Sequence, residues 1–143
     1  MLGHILVAID GSEGARRAAR FARELAGKLD ARLTVLVVLE PIPMINVGFA
    51  DVYGLARRQP TEEELQHLQR ALDEAAGDHP ADRVEKVIEY GNAAETIVAQ
   101  AEARGVDLIV VGARGMGAVG RFLVGSVSDR VIHLAKCSVT VVH

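Results

Sequence analysis

Short apolar runs alternate along the chain with segments in which apolar residues recur every three or four positions. Five runs have the length of buried parallel strands, and the third of them is the least apolar, which predicts a place near a sheet edge. The predicted strands cover residues 4–9, 33–39, 83–90, 106–111 and 139–142. This alternation of strand and helix indicates a parallel sheet with right-handed crossovers and helices on both faces.

Helix starts are marked by residues that accept hydrogen bonds from free backbone N–H groups. Ser12 precedes the first helix, and Thr61 with Glu64 forms a capping box before the second. Asn92 with Glu95 repeats that signal before the third helix. A fourth helix is predicted over about residues 126–135.

A long irregular segment follows the second strand. Residues Glu40 to Pro60 contain three prolines and two glycines and have no sustained hydrophobic period. Most connections in a compact domain have about 4–6 residues, and much longer ones are usually functional or mobile. We therefore expect this loop to close over a ligand.

The order of the strands predicts where a ligand binds. If the fourth strand returns to lie beside the first, the sheet order is 3-2-1-4-5 and the whole chain, residues 1–143, is one domain. Ligands of such sheets bind beyond the carboxyl ends of the strands where the order reverses. Asp10 and Gly112 follow the two strands that flank this reversal.

Five glycines fall within residues 112–125, and two familiar templates fail to match them. The G-x-G-x-x-G match that starts at Gly115 lacks the acidic residue about 20 positions later that a dinucleotide site uses for the ribose. The phosphate-loop spacing that ends at Gly125 has Ser126 where that loop needs its lysine. A nicotinamide or flavin dinucleotide site and a standard NTPase are both disfavoured.

A third template, G-x2-G-x9-G-[ST], fits without departure. Glycines at both ends let the backbone approach an anion, and the helix that follows adds unpaired N–H groups at the positive end of its dipole. The residues of this phosphate-binding hypothesis are Gly112, Gly115, Gly125, Ser126 and Ser128, with charge from Arg114 and Arg121. The alternative is a flexible surface loop in which Ser126 serves only as a helix N-cap.

This pattern resembles the ATP-binding branch of the universal stress protein family, and the resemblance runs from Ile5–Ser12 to Val139–Val142. It implies a Rossmann-like fold of the adenine nucleotide alpha hydrolase-like kind, a homodimer, and stress-linked regulation. Members without nucleotide binding generally depart from the glycine pattern, and this chain does not. The resemblance thus implies that the chain binds ATP.

The resemblance also assigns roles to individual residues. It implies that Ala8 and Asp10 lie near the adenosine and that the backbone of Val38 contacts adenine. It places the ribose and phosphates on Gly112, Arg114, Gly115, Gly125, Ser126, Val127 and Ser128.

Asp10 has two interpretations. Its carboxylate could accept hydrogen bonds from ribose hydroxyls or support Mg²⁺ or Mn²⁺ bound through the phosphates of ATP. Alternatively, it orders the Asp-Gly turn or helps Ser12 to cap the first helix.

Composition narrows the partners. The 143 residues include 16 basic and 19 acidic side chains, which give a net charge of -3, and only five aromatic residues. A basic stripe or aromatic platforms for nucleic acid are therefore not expected, nor is an anionic membrane surface. No apolar stretch approaches the roughly 18 residues of a membrane span, and the first residues do not resemble a signal peptide, so we expect a cytoplasmic protein.

The last strand suggests a second copy as partner. Val139 to Val142 would lie at a sheet edge without the charges or prolines that normally block pairing, which predicts a twofold homodimer through this strand. Nucleotide binding would then regulate the surface shown to an unknown protein partner. Two other functions stay open: a slow ATP hydrolase or phosphoryl or nucleotidyl transferase, and an interaction module that binds no nucleotide.

Overall fold

The computed structural model describes residues 1–40, 60–113 and 125–143, which form a five-stranded parallel sheet between two layers of helices. The strands are β1 His4–Ile9, β2 Arg32–Leu39, β3 Val84–Tyr90, β4 Leu108–Gly112 and β5 Ser138–Val142. The α-helices of the described residues are α1 Glu13–Leu29, α2 Glu62–Ala76, α3 Ala93–Ala103 and α4 Ser126–Leu134. A 3-10 turn, Ala81–Arg83, precedes β3.

The strand order is β3-β2-β1-β4-β5, as predicted. Ile5 of β1 lies opposite Leu33 of β2 on one side and Leu108 of β4 on the other. The order therefore reverses between β1 and β4, and β3 and β5 are the edge strands. The expectation that the third strand lies at an edge is confirmed.

Two predicted strand starts are early by one or two residues. β4 begins at Leu108 because the side chain of Asp107 accepts the N–H groups of Gly3 and His4, at 2.9 and 3.0 Å, just before the ladder starts. Arg83 ends the 3-10 turn, where its guanidinium lies 2.9 Å from a carboxylate oxygen of Asp30.

Alternate residues of the sheet bury opposite faces. Ile5, Val7 and Ile9 belong to the apolar cluster under α1 and α2, whereas Leu6 belongs to the cluster under α3 and α4. Helix α1 presents mainly alanines to the sheet, namely Ala15, Ala18, Ala19, Ala22 and Ala26. Small side chains let this helix approach the sheet closely, which brings its first turn to the ends of β1 and β4.

The predicted caps are present at three helix starts. Ser12 Oγ accepts the Ala15 N–H at 3.2 Å, and Asn92 Oδ1 accepts the Glu95 N–H at 3.2 Å. Thr61 and Glu64 form the reciprocal capping box. These bonds fix the positions at which α1, α2 and α3 begin.

The predicted loop from Glu40 to Pro60 lies outside the described residues except for its two end residues. Among the helices that are described, none combines the length and the hydrophobicity that a bilayer crossing requires.

Candidate functional site

A cleft opens at the carboxyl ends of β1, β2 and β4, where the strand order reverses. Its described walls enclose about 100 Å³. Six residues that the sequence predicted for the site line it: Ala8, Asp10, Val38, Gly112, Val127 and Ser128. Fold topology therefore brings together residues that are up to 120 positions apart.

The amino ends of three helices meet at this cleft. Ser12 and Ala15 contribute from α1, Ala93 from α3, and Val127 and Ser128 from α4. Each helix start carries about half a positive charge from its aligned peptide dipoles, although Ser12 and Asn92 already cap α1 and α3. The positive end of the helix dipoles, rather than a basic side chain, therefore offers a place for an anion in the described lining.

The start of α4 is the one best suited to an anion. Its N-cap is Gly125, which has no side chain to accept a helix N–H. Within the described residues, the backbone N–H groups of Ser126, Val127 and Ser128 have no partner. The interpretation of Ser126 as an N-cap is wrong, because it is the first helical residue. Among the described residues, nothing competes with an anion for these three adjacent donors.

Ser128 and Gly112 tie α4 to the end of β4. Ser128 is only 4% exposed, and its hydroxyl donates to the Gly112 carbonyl oxygen. That hydroxyl keeps its lone pairs, while its proton is already used within the protein. Ser128 therefore fixes the direction in which the first turn of α4 points.

Gly112 is a glycine for a reason that the motif did not indicate. A Cβ at this position would lie 2.7 Å from the carbonyl carbon of Gly14 and 2.8 Å from its oxygen. The space that a side chain would need is thus filled by the backbone of α1. Close packing between β4 and α1 accounts for this glycine whether or not a ligand is bound.

Asp10 orders the turn after β1. Its Oδ1 accepts the Ser12 N–H at 3.0 Å and the Ser12 hydroxyl at 2.6 Å, so the interpretation as a turn residue is right. Asp10 is also exposed and is the one ionisable residue in the described lining of the cleft. Its second carboxylate oxygen accepts no hydrogen bond from the described residues, which leaves it able to bind a ligand hydroxyl or a cation.

Apolar side chains form the opposite wall. Val38 and Ala8 are half-buried, and Ile97 and Val111 are buried behind them. Val38 lies one residue beyond the last pair of β1 and β2, Ile9 with Val37, and is paired only with β3. This wall suits a flat, weakly polar ring, and the peptide of Val38 borders it.

Several lining residues were not predicted as site residues, namely Ile9, Ser12, Ala15, Ala93, Ile97 and Val111. Ala93 could have been found, because the Asn92 cap identifies it as the first residue of a helix. Glu40 was also missed: its Oε1 accepts the Ala93 N–H at 3.0 Å and so occupies one donor of α3 at the rim.

Five residues that the sequence analysis gave to the site are not part of the described lining. Arg114 and Gly115 lie outside the described residues, as does Arg121. Gly125 and Ser126 adjoin the cleft at the start of α4. Since ligand pockets commonly measure about 300–1,000 Å³, the described walls form one portion of a site for a molecule of nucleotide size.

Known proteins resemble this chain in both sequence and fold. The chain matches the universal stress protein family over residues 1–143. A universal stress protein from Thermus aquaticus is 36% identical over 143 residues, which cover 99% of each chain. Universal stress protein UspA from Lactobacillus plantarum superposes with a TM-score of 0.80 at 28% identity, covering 99% of this chain and 98% of that one. A universal stress protein solved in complex with cAMP has a TM-score of 0.69 at 27% identity, covering 99% and 97%.

Proposed function

We propose that this chain, which belongs to the universal stress protein family, binds an adenine nucleotide in the cleft and that its preferred ligand is ATP. The observation that carries the proposal is the meeting of an apolar wall with three helix amino ends at the reversal of strand order. The base of a nucleotide is flat and weakly polar and its phosphates are anionic, and the cleft offers a surface for each.

The base would lie against the apolar wall. The side chains of Ala8, Val38 and Val111 offer apolar contact to a purine, and the peptide groups of Val38 would lie beside it. The structural neighbour in complex with cAMP supports an adenine base in particular. Ring burial without aromatic stacking fits a chain that has only five aromatic residues.

The phosphates would lie at the start of α4. The N–H groups of Ser126, Val127 and Ser128 converge there, and the glycine pattern continues into residues 114–124, outside those described. Backbone N–H groups at a helix start bind phosphate oxygens directly. Such a site can therefore hold phosphate even though Ser126 stands where a phosphate loop has its lysine.

Asp10 would act beside the ribose and the phosphates through its second oxygen. A carboxylate at this place fits either a ribose hydroxyl or a Mg²⁺ or Mn²⁺ ion bound through the phosphates. When bound, the metal would supply charge neutralisation for the triphosphate. The residues of the chain would orient the nucleotide through Asp10 and the start of α4.

The regulatory part of the proposal concerns β5. This edge strand is half-buried from Val139 to Val142 in the single chain, so its outer side is available to a second copy. A cytoplasmic homodimer paired through β5 would present a nucleotide-dependent surface to a protein partner. Sedimentation at micromolar concentration should give twice the chain mass of 15.3 kDa. A single species of 15.3 kDa would contradict the proposed dimer.

Titration calorimetry of ATP with Mg²⁺ tests the binding proposal. We expect saturable binding of ATP in the cleft, and we expect Asp10→Asn to weaken that binding about tenfold, because a charge-assisted hydrogen bond is replaced by a neutral one. Asn keeps an oxygen that can accept the Ser12 N–H, so the turn is preserved. The proposal fails if wild-type protein shows no heat and no retained ligand at millimolar ATP.

A further inference from the structure

A second cavity lies between α1 and α2, on the other sheet face from α3 and α4. Its volume is about 450 Å³. Five side chains with basic groups line it: Arg16, Arg20 and Arg23 of α1, and His67 and Arg70 of α2. Glu74 is the one acidic residue in its lining. We call this cavity the arginine groove.

Two of the four arginines have no counter-charge. Arg16 lies 2.7 Å from Glu13, and Arg23 lies 3.8 Å from the exposed Asp78. Arg23 also donates to the backbone carbonyl of Glu74. Arg20 and Arg70 are exposed, and no residue in the described part of the chain pairs with either. The groove therefore carries an excess of positive charge.

This excess is not a consequence of overall composition. The chain has 19 acidic and 16 basic side chains and a net charge of -3. With Arg16 and Arg23 paired, Arg20 and Arg70 still add two uncompensated positive charges to the groove, and an anion between them would lower their mutual repulsion. Arg16, Arg20 and Arg23 of α1 are spaced three or four residues apart. Their side chains therefore leave the same face of the helix, with neighbouring Cβ atoms about 5–6 Å apart.

Small side chains create the volume of the groove. Its floor is formed by Ala15, Ala19, Ala71 and Ala75, so the two helices leave a trough under the arginines. A volume of this size lies within the range of about 300–1,000 Å³ that is typical of small-molecule sites. A solvated charged helix face would need no such trough.

We propose that the arginine groove binds a small polyanion that carries two or more phosphoryl groups. Guanidinium groups bind phosphate oxygens in pairs, and Arg remains charged at every physiological pH. Arg20 and Arg70 come from different helices, so one multiply charged ligand could contact both.

The arginine groove adjoins the nucleotide cleft without being part of it. Ile9, Ser12 and Ala15 line both cavities, so the first turn of α1 separates them. Binding in the groove does not depend on nucleotide binding. A ligand there would still be positioned to influence the turn that Asp10 orders.

Inorganic tripolyphosphate is the probe for this site, titrated by calorimetry at about 150 mM salt so that exposed charges are screened. We expect saturable binding that the double substitution Arg20→Ala with Arg70→Ala weakens at least tenfold. Arg17→Ala is the matched control, since Arg17 is an exposed arginine of α1 outside the groove, and we expect a change of less than twofold. Circular dichroism would verify that the exposed substitutions leave the fold intact.

Three results would overturn the proposal. Tripolyphosphate could fail to bind, it could bind the double variant as tightly as wild type, or the Arg17→Ala control could lose as much affinity as the double variant. AMP titrated into the same double variant separates this proposal from the nucleotide site, because AMP has the adenine base but only one phosphoryl group. AMP affinity should change less than threefold, since the described lining of the cleft contains neither arginine.

Discussion

Replacing Gly112 with valine should lower the free energy of unfolding by about 3 kcal/mol, the upper end of the usual cost of overpacking. The added Cβ would meet the backbone of Gly14 at 2.7 Å. Neither element can withdraw easily, because β4 is hydrogen-bonded between β1 and β5 and α1 packs against the sheet. Urea unfolding followed by circular dichroism measures the loss.

Gly27→Ala is the matched control for this substitution. Gly27 lies in α1, and a Cβ there would have nothing within 4 Å. Alanine should stabilise the helix by about 0.5–1 kcal/mol, since glycine loses more backbone entropy on folding. If Gly112→Val and Gly27→Ala had the same free energy of unfolding, the close packing of β4 against α1 would be contradicted.

Val127→Asp should weaken ATP binding about 100-fold without destabilising the protein. Val127 is 39% exposed at the start of α4 and lines the cleft. An aspartate in the first turn stabilises a helix through its dipole, yet it places a negative charge where the phosphates are proposed to bind. Two like charges about 4 Å apart near a protein surface repel each other by roughly 4 kcal/mol. Screening by salt lowers this repulsion, which leaves the 100-fold loss of ATP affinity that we expect.

Val127→Asn is the control, because it has nearly the same shape as Asp and no charge. We expect this substitution to weaken ATP binding by less than fivefold. Adenosine, which has no phosphate, should bind Val127→Asp within threefold of its wild-type affinity. If Val127→Asp binds ATP as tightly as Val127→Asn does, the phosphates do not lie at α4.

The fold was predictable because local signals agree along the chain. Continuous apolar runs identify buried parallel strands, and the caps Ser12, Thr61 and Asn92 fix three helix starts. Strand order followed from one assumption about where β4 returns, and this assumption is confirmed. Strand bounds were less predictable, since they depend on side-chain bonds such as those of Asp107 to Gly3 and His4.

Six predicted site residues line the cleft, but the reasons for individual residues needed tertiary structure. Nothing in the motif indicates that the backbone of Gly14 fills the side-chain space of Gly112. Likewise, the bond from Glu40 to the start of α3 joins segments 53 residues apart.

Two further features depend on which helices and strands become neighbours. His4 opens the first apolar run, and the structure buries it with its Nε2 2.8 Å from Thr34 Oγ1; this burial lowers the pKa of His4. The arginines of α1 look like an ordinary solvated face in sequence. They become a groove only because α2 packs beside them with Arg70 and His67.

The central claim is that an adenine nucleotide occupies the cleft between β1, β2 and β4. Its most direct test is an NMR titration of ¹⁵N-labelled protein with ATP and Mg²⁺, followed at each backbone amide. We predict that the largest shifts occur at Val127 and Ser128, with further shifts at Ala8, Asp10 and Val38. Shifts confined to α2 and β5, or no shifts at millimolar ATP, would contradict the account.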